Sequence, residues 1–301
     1  MGYPYDDIFR QFRGECRENE PLARYTSLRV GGPADRFAVP ADRDDLLVLL
    51  AALRVSGTPF LMIGGGYNLL VRDGGFRGVV VTLERLTGID RLDANRVRVE
   101  AGVGNQHLAR FCRGELLTGL EFLAMIPGTV GGALAVNAGA HGAAVMDRVT
   151  RLESWIDGSL RECVGGERRF GYRWHALAPG EVIVAADLQL QPGDAAAMDS
   201  LLAAHRRHRQ ESQRVNLPNA GSFFKNPEGE QAWRLIDRAG LRGCRLGGAQ
   251  VSEAHTNFLV NASGATASDF LDLATLVKTR VREMSGIELE EEVRIVGEGR
   301  D

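Results

Sequence analysis

The stretch Ile63-Gly64-Gly65-Gly66-Tyr67-Asn68-Leu69-Leu70 follows an apolar segment, Phe60 to Ile63, that is predicted as a short β-strand. Successive glycines let several backbone N–H groups point to one side of the chain, an arrangement that suits a diphosphate. No Gly-Lys-Ser/Thr follows, as in a Walker A loop, and the GxGxxG spacing and helix of the nicotinamide-binding fingerprint are missing. The stretch therefore predicts a diphosphate site outside those two classes, although a tight turn would use the same residues.

A second segment of small residues runs from Ile126 to Ala140. It contains Ile126-Pro127-Gly128-Thr129-Val130-Gly131-Gly132-Ala133 and Asn137-Ala138-Gly139-Ala140, and it has almost no charge or large side chains. Small residues let a flat, bulky ligand lie against the main chain and leave N–H and C=O groups for the edge of a heterocycle. The alternative is a buried, close-packed backbone crossing.

A third segment, Ala220-Gly221-Ser222-Phe223-Phe224-Lys225-Asn226-Pro227, places a hydroxyl, an ammonium and a carboxamide within five residues. Gly221 lets the backbone approach a ligand closely, and Pro227 ends any regular element that begins there. A turn with these three polar side chains indicates a binding or catalytic loop, and a plain surface loop is the alternative.

The composition is that of a globular protein with two or three domains or subdomains. The chain has 301 residues, of which 44% are hydrophobic and 25% charged, and its net charge is -3. This charge argues against bulk binding of nucleic acid. The basic run from His205 to Arg209 falls at the end of a predicted helix, where cations suit the helix dipole.

Cysteine usage and the N-terminus favour a cytoplasmic protein. Four cysteines lie far apart, without a CxxC pair or neighbouring histidines, which argues against a disulfide framework or a metal site. The N-terminal residues include Asp6, Asp7 and Arg10 and lack an apolar core, so no signal peptide is predicted. No run approaches the length of a membrane span.

The periodicity predicts an α+β protein with a domain boundary at Pro192-Gly193-Asp194. The first part is predicted to hold a helix over Asp44 to Leu53 capped by Asp42, strands over Phe60 to Ile63, Val79 to Thr82, Val97 to Glu100 and Val182 to Leu190, and a helix over Gln106 to Leu117. The second part is predicted to hold a helix from the Asp194 cap to about Gln213, a helix over Gln231 to Ala239 with Gly240 as C-cap, a strand over Asn257 to Asn261, a helix capped by Thr266 and Asp269, and a final strand around Val293 and Ile295.

Taken in order, the motifs resemble those of the UDP-N-acetylenolpyruvoylglucosamine reductase family, over a match from about Thr26 to Gly297. The order and spacing of the motifs are specific, whereas each motif alone is weak. The matching segments are Gly31-Gly32-Pro33-Ala34, Gly64 to Leu70, Asp73-Gly74-Gly75-Phe76, Glu121 with Ile126 to Gly132, Asn137-Ala138-Gly139-Ala140, Tyr172-Arg173, Gly221 to Pro227, Gly248-Ala249-Gln250-Val251-Ser252, and Leu289-Glu290 with Glu292-Val293-Arg294.

The resemblance implies an FAD-binding region of the vanillyl-alcohol-oxidase (PCMH) type over residues 1–193, in two subdomains that meet near residue 80. A C-terminal α+β substrate-binding domain over residues 194–301 would follow. The compact spacing between Leu190 and Gly221 resembles the shorter type of the family.

The family reaction takes a hydride from NADPH to non-covalent FAD and then to the enolpyruvyl group of UDP-N-acetylglucosamine enolpyruvate, giving UDP-N-acetylmuramate for peptidoglycan. By resemblance, Ser222 is the proton donor, and Arg173 and Glu292 are the other catalytic residues. Lys225, Asn226 and His255 are expected to bind substrate, although a structural histidine is equally compatible with His255. The expected cofactor-binding residues are Gly64, Gly65, Gly66, Tyr67, Asn68, Leu69, Pro127, Gly128, Thr129, Gly131, Gly132, Asn137, Ala138 and Gly139. The expected partners are the UDP-sugar and NADPH, without nucleic acid or membrane and without a required oligomer.

Several positions depart from the family pattern. Tyr25 stands where Asn is usual, Tyr67 stands where Ser is usual inside the glycine loop, and His175 replaces a Ser or Thr. The segment from Gln213 to Pro218 lacks the usual Gln-Pro start. Tyr67 matters most, because a bulky ring beside the diphosphate nest would change how the flavin lies.

These departures keep two alternatives open. One is a paralogue that reduces another nucleotide-linked enol ether or unsaturated acid. The other is a non-catalytic flavin- or nucleotide-binding protein, which the presence of Ser222, Arg173 and Glu292 disfavours. An oxidase with flavin tethered to histidine is also disfavoured, because the loop from Gly64 to Leu70 contains no His.

Overall fold

The structure is a computed structural model that describes residues 7–212 and 214–299. The described chain forms two compact units. Unit 1 contains the described residues of Met1–Arg17, Arg36–Gly64 and Gly78–Arg207, and unit 2 contains those of Glu18–Asp35, Gly65–Arg77 and His208–Asp301. Sequence-based statements about Asp6 and Gln213 lie outside the described residues. From the sequence, residues 1–193 are predicted to bind FAD and residues 194–301 to bind substrate. The two compact units do not test this assignment, which stays a prediction.

Short strands dominate the chain, and six α-helices interrupt them in the described residues. The strands are β1 (Glu15–Pro21), β2 (Pro33–Val39), β3 (Phe60–Ile63), β4 (Leu69–Val71), β5 (Phe76–Thr82), β6 (Ile89–Arg91), β7 (Arg96–Glu100), β8 (Leu117–Thr118), β9 (Gly139–Ala140), β10 (Ala143–Ala144), β11 (Val149–Ile156), β12 (Ser159–Val164), β13 (Phe170–Gly171), β14 (Trp174–His175), β15 (Val182–Gln189), β16 (Gln191–Pro192), β17 (Arg245–Leu246), β18 (Ala249–Val251), β19 (Leu259–Asn261) and β20 (Arg294–Val296). The helices are α1 (Arg43–Ser56), α2 (Asn105–Gly114), α3 (Val130–Ala135), α4 (Ala195–Ser212), α5 (Ala232–Arg238) and α6 (Ala267–Ser285). Short 3-10 turns lie at Leu22–Tyr25, Glu121–Met125, Val145–Arg148 and Gly165–Glu167.

Unit 1 is built on an antiparallel sheet with the strand order β12-β11-β15-β7-β6. Also in unit 1, β3 runs parallel to β5, with Phe60 opposite Val79 and Ile63 opposite Thr82. One apolar core includes the buried side chains of α1, β7, α2, α3, β11 and β15. Strand β15 is the central strand of this antiparallel sheet, and it is buried along nearly its whole length.

Unit 2 has its own core, and α6 supplies much of it. Thr266 and Asp269 form a capping box at the start of α6, and Gly286 follows its last residue with a φ of 72°. Phe270, Leu273 and Val277 of this helix are fully buried at helical spacing. The strands of the unit pair as β17-β18-β19, antiparallel, and as β20 parallel to β4.

Most predicted elements are confirmed. Asp42 accepts a hydrogen bond from the N–H of Asp45 at the start of α1, Asp194 accepts one from Ala197 at the start of α4, and β3 has the predicted bounds. Helix α4 is described to Ser212, so its predicted end near Gln213 lies outside the described residues. The described part contains no helix that is long and apolar enough to cross a membrane.

Several predicted boundaries were wrong. Helix α1 runs to Ser56 rather than Leu53, and β5 begins at Phe76 rather than Val79. Helix α2 ends at Gly114 rather than Leu117, because Leu116 adopts a left-handed φ of 54° and Leu117 pairs with β16. Strand β19 begins at Leu259 rather than at residue 257. The C-cap of α5 is Ala239, and Gly240 follows it with a φ of 70°.

Candidate active site

The two glycine-rich segments meet inside unit 1 at Gly64 and Thr129. A β-carbon at Gly64 would lie 2.5 Å from Thr129 Oγ1, so glycine at this position is what lets Thr129 approach. Thr129 is the N-cap of α3, and its Oγ1 accepts a hydrogen bond from the N–H of Gly132 at 3.3 Å. Gly64 and Gly132 are both exposed, so bare main chain faces outward beside the hydroxyl.

In unit 2, the first glycine-rich segment continues from Gly65, and it contacts Tyr25 and Glu292 of the same unit. Gly66 has a φ of 65°, and a β-carbon there would lie 1.8 Å from the carbonyl oxygen of Tyr25, so only glycine fits. Tyr67 is 46% exposed, so its ring is not part of the core of the unit. Asn68 follows, and its Nδ2 donates to the carbonyl oxygen of Glu292 at 3.1 Å. The loop is thereby tied to the segment that carries a predicted catalytic residue.

Asn105, which the sequence analysis did not single out, holds the second segment in place. Its backbone N–H donates to Gly128 at 3.0 Å and its Nδ2 donates to Ile126 at 3.2 Å. Within the described residues its Oδ1 is buried and has no hydrogen-bond partner. The sequence signal was Gly104-Asn105 ahead of a predicted helix, a pattern that is typical of a helix start.

The predicted cofactor-binding residues differ in solvent exposure. The exposed ones are Gly64, Gly65, Tyr67 and Gly132; Asn68, Pro127, Gly128, Thr129 and Gly131 are half-buried; Gly66, Leu69, Asn137, Ala138 and Gly139 are buried.

Asn137 uses its carboxamide to hold main chain. Its Nδ2 donates to the carbonyl oxygen of Gly171 at 2.8 Å, and its Oδ1 accepts from the N–H of Met146 at 3.2 Å. The residue is 4% exposed and has a left-handed φ of 46°, which asparagine tolerates better than most residues. Whether Asn137 also contacts a cofactor stays a prediction.

Arg173 lies in the two-residue turn of the hairpin β13–β14, in which Gly171 pairs with Trp174. Its φ is 60°, a left-handed conformation that costs a non-glycine residue on the order of 1 kcal/mol and is held only when the surroundings enforce it. Its guanidinium carbon lies 5.0 Å from the centre of the Tyr172 ring. The neighbouring Arg168 forms a bidentate pair with Glu181 at 2.6 and 3.0 Å.

His175, on the second strand of this hairpin, is buried against helix α3. Its Nδ1 lies 3.1 Å from the carbonyl oxygen of Leu134, and since a carbonyl only accepts, Nδ1 carries the proton. Nε2 is buried and has no partner within the described residues. Burial lowers the pKa of His175, which favours the neutral form of the ring.

The Ser222 loop of unit 2 is anchored by two phenylalanines. Gly221 has a φ of 77°, so the turn before Ser222 requires glycine. Phe223 and Phe224 are 1% and 0% exposed, which explains the two adjacent aromatics as anchors. The Asn257 carboxamide makes two hydrogen bonds to the Phe224 backbone. Its Oδ1 accepts from the Phe224 N–H at 3.0 Å, and its Nδ2 donates to the Phe224 carbonyl at 2.8 Å.

Glu292 lies beside this loop. Its backbone N–H donates to the carbonyl oxygen of Phe223 at 2.8 Å, so the residue after Ser222 is bonded directly to the Glu292 main chain. The two preceding acids have lysine partners: Glu290 pairs with Lys225, and Glu291 pairs with Lys278 at 3.0 Å. The structure thus shows which lysine each of Glu290 and Glu291 contacts.

A cavity of about 340 Å³ adjoins the end of the Ser222 loop. Asn226 lines it together with Gly229, Glu230, Gln231 and Arg234. The Oδ1 of Asn226 accepts from the N–H of Ala232 at the start of α5, at 3.1 Å. The lining combines polar side chains with one acid, Glu230, and one base, Arg234.

His255 lies beside two aromatic residues of the same unit. Its ring centre is 4.8 Å from that of Phe258 and 6.1 Å from that of Trp233. Burial lowers the pKa of His255, and within the described residues its Nδ1 is buried without a partner. Its predicted role in substrate binding stays a prediction.

Comparison with known proteins fits this architecture. The FAD binding domain family matches residues 34–163, and the family of the C-terminal domain of UDP-N-acetylenolpyruvoylglucosamine reductase matches residues 213–296. The UDP-N-acetylenolpyruvoylglucosamine reductase of Geotalea uraniireducens (strain Rf4) is 59% identical over 95% of each chain. That of Geobacter metallireducens is 57% identical over 98% of each chain. The crystal structure of the Thermus caldophilus enzyme superimposes with a TM-score of 0.80, at 33% identity, over 94% of this chain and 98% of that one.

An FAD binding domain followed by this C-terminal domain defines an FAD-dependent oxidoreductase. The family and the fold class predicted from the motifs are confirmed. With relatives at 57–59% identity over nearly the whole chain, the protein belongs to the UDP-N-acetylenolpyruvoylglucosamine reductase family.

Proposed function

We propose that this protein reduces UDP-N-acetylglucosamine enolpyruvate to UDP-N-acetylmuramate with NADPH, in the synthesis of peptidoglycan precursors. The net change adds one hydride and one proton across the vinyl double bond and leaves NADP⁺. Family membership supports the choice of substrate. The observation that carries the chemistry is the hydrogen bond from the Glu292 N–H to Phe223, because it joins two predicted catalytic segments that are about seventy residues apart in sequence.

The residues of the glycine-rich segments fit FAD. Gly64 and Gly132 present exposed main chain, and Thr129 supplies a hydroxyl beside them. Bare amides of this kind suit phosphate oxygens, and the small residues around them leave room for a large ligand. Bound FAD supplies the transfer of a hydride between NADPH and the substrate. Pro127, Gly128 and Gly131 of the same unit would complete the site there, and the residues predicted over Gly65 to Leu69, in unit 2, stay predictions.

Ser222 donates the proton to the vinyl carbon that does not receive the hydride. A serine hydroxyl is a weak acid and must therefore be positioned accurately. The loop supplies that rigidity, because Phe223 and Phe224 are buried and Asn257 clamps the Phe224 backbone. The proton then moves from Oγ to carbon over a fixed path rather than from a mobile turn.

Arg173 and Glu292 stabilise the charge that develops in the reaction. The guanidinium of Arg173 remains charged and binds a carboxylate in a bidentate manner, which suits the enolate form of the pyruvyl group. Glu292 acts as a donor or acid toward the same group. The backbone bond between Glu292 and Phe223, next to Ser222, supports Glu292 for this role.

Lys225 and Asn226 bind the anionic part of the substrate. Lys225 pairs with the exposed Glu290, so a substrate carboxylate or phosphate would exchange with that glutamate at the ammonium group. Asn226 lines the polar cavity of about 340 Å³, and His255 lies in the same unit.

The test uses the purified flavoprotein and the Ser222→Ala variant. We expect NADPH to bleach the flavin of the variant at the normal rate, whereas turnover with UDP-N-acetylglucosamine enolpyruvate falls by about 100-fold or more. Ser285→Ala is the matched control, because the Ser285 hydroxyl bonds Val281 at the end of α6, at 2.7 Å. Normal turnover in Ser222→Ala would remove the proton-donor role. NADPH oxidation with a different unsaturated acid, and none with this substrate, would favour the paralogue.

The remaining partners follow from this reaction. The protein acts on small molecules, and we propose that it works in the cytoplasm, without nucleic acid or membrane and without a required oligomer. These points rest on the sequence and on the reaction, and they stay predictions.

A further inference from the structure

The hairpin β13–β14 is bonded to the glycine-rich segment by one side chain on each strand. On the first strand, the carbonyl of Gly171 accepts from Asn137 Nδ2 at 2.8 Å. On the second strand, the Nδ1–H of His175 donates to the carbonyl of Leu134 at 3.1 Å. Asn137 is 4% exposed and His175 is 8% exposed, so water does not readily replace either bond.

These two bonds flank a turn that needs restraint. Arg173 has a φ of 60°, although arginine has no special tolerance for the left-handed region. The strands on either side have only two paired positions, Phe170 with His175 and Gly171 with Trp174. A hairpin this short does not hold a strained turn by itself.

We propose that Asn137 and His175 are positioning residues that fix the backbone turn carrying Arg173. This inference rests on the role given to Arg173 in the proposed function. It assigns Asn137 a task different from the cofactor contact predicted from the sequence, because its donor is used on Gly171 and its acceptor on Met146. It also gives a reason for His175, which stands where the family pattern has Ser or Thr.

The bond at Gly171 is tested with Asn137→Asp in the flavin-loaded protein. Aspartate tolerates the left-handed backbone and keeps an acceptor for Met146, but it has no N–H for Gly171. We expect flavin content and bleaching by NADPH to stay normal, while the return of flavin absorbance on adding the enolpyruvyl substrate slows by about 10- to 100-fold. Hydrogen exchange of the amides of residues 170–175 should become faster. Gln189→Glu is the control, because it removes an amide donor from the Leu190 carbonyl, outside the hairpin.

A double-mutant cycle with Arg173→Ala identifies the mechanism. If Asn137 acts by positioning Arg173, Asn137→Asp should slow the substrate step in the wild-type background and have almost no further effect once Arg173 is Ala. An equal slowing in both backgrounds, a loss of flavin, or unchanged hydrogen exchange would overturn the inference. If Arg173→Ala is slow but Asn137→Asp is not, only the positioning role fails. If Arg173→Ala itself is fully active, the role of Arg173 in the proposed function fails as well.

His175 gives an independent test on the other strand. His175→Asn keeps an N–H donor close to the position of Nδ1, whereas His175→Leu removes it while retaining apolar bulk. We expect the leucine variant to slow the substrate step and the asparagine variant to recover most of the rate. Equal rates in both variants would show that packing, and not the bond to Leu134, explains the burial of this residue.

Discussion

Replacing Asn257 with alanine should both destabilise unit 2 and slow catalysis at the Ser222 loop. The Asn257 carboxamide makes the two hydrogen bonds to the Phe224 backbone, at 3.0 and 2.8 Å. Asn257 is 2% exposed and Phe224 is 0% exposed, so the variant leaves a buried N–H and a buried C=O without partners. Each such group costs about 1–3 kcal/mol, so the free energy of unfolding should fall by about 2–6 kcal/mol.

Asn261→Ala provides a closely matched comparison. Asn261 also bonds the backbone twice, donating to Leu28 at 3.1 Å and accepting from Ala265 at 3.0 Å. It is only half-buried, so water replaces part of what is lost, and we expect a cost of about 1 kcal/mol. Its side-chain bonds go to Leu28 and Ala265 and not to the residues of the Ser222 loop, so catalysis should be unaffected.

The assays are urea unfolding followed by tryptophan fluorescence and steady-state NADPH oxidation with the enolpyruvyl substrate. A shift of about 1 Å in a catalytic group lowers the rate by about 100-fold, and Asn257→Ala should approach that loss. The reasoning is refuted if Asn257→Ala unfolds at the same urea concentration as Asn261→Ala, or if it is destabilised but turns over normally. The second result would mean that Phe223 and Phe224 alone hold the loop.

Two further predictions concern unit 1. Gly64→Ala places a β-carbon 2.5 Å from Thr129 Oγ1 and should weaken FAD binding by about 1–3 kcal/mol in a fluorescence titration. Gly114→Ala is the control, because no atom lies within 4 Å of its new β-carbon, and it should leave the affinity unchanged. Equal FAD affinities in the two variants would contradict the close approach of Gly64 and Thr129. The second prediction concerns His175, whose pKa is lowered mainly by burial and also by Arg168, while the bond to Leu134 opposes the shift. Below about pH 6.5 the unfolded chain therefore binds a proton that the folded chain excludes. The free energy of unfolding should therefore fall as the pH drops from about 6.5 toward the folded pKa, and this fall should be smaller in His175→Asn; identical pH profiles would contradict it.

Local signals in the sequence predicted the regular elements well. The caps at Asp42 and Thr266 and the strand over Phe60–Ile63 are short-range features, since each depends on residues within a few positions. The predictions were wrong where distant contacts decide the boundary. Helix α2 ends early because Leu117 pairs with Pro192, a partner that no local pattern reveals.

The residues of the candidate site also fall into those that the sequence predicts and those that it does not. Ser222 and the glycine loops were found from residue types that ordinary turns rarely combine, and Glu292 was found from motif spacing. The supporting residues Asn257 and Asn105 were missed, because an isolated asparagine in a sequence gives no sign of which backbone it will bond.

The sequence alone determined the family and most helices and strands, since these depend on residue identity, order and short-range periodicity, and it predicted the chemistry-bearing residues. Only the tertiary structure decided which of three adjacent acids pair with lysines, which asparagines clamp main chain, and that Arg173 sits in a strained turn. The physical reason is that hydrogen bonds and burial join groups far apart along the chain, and their partners are fixed only when the chain has folded.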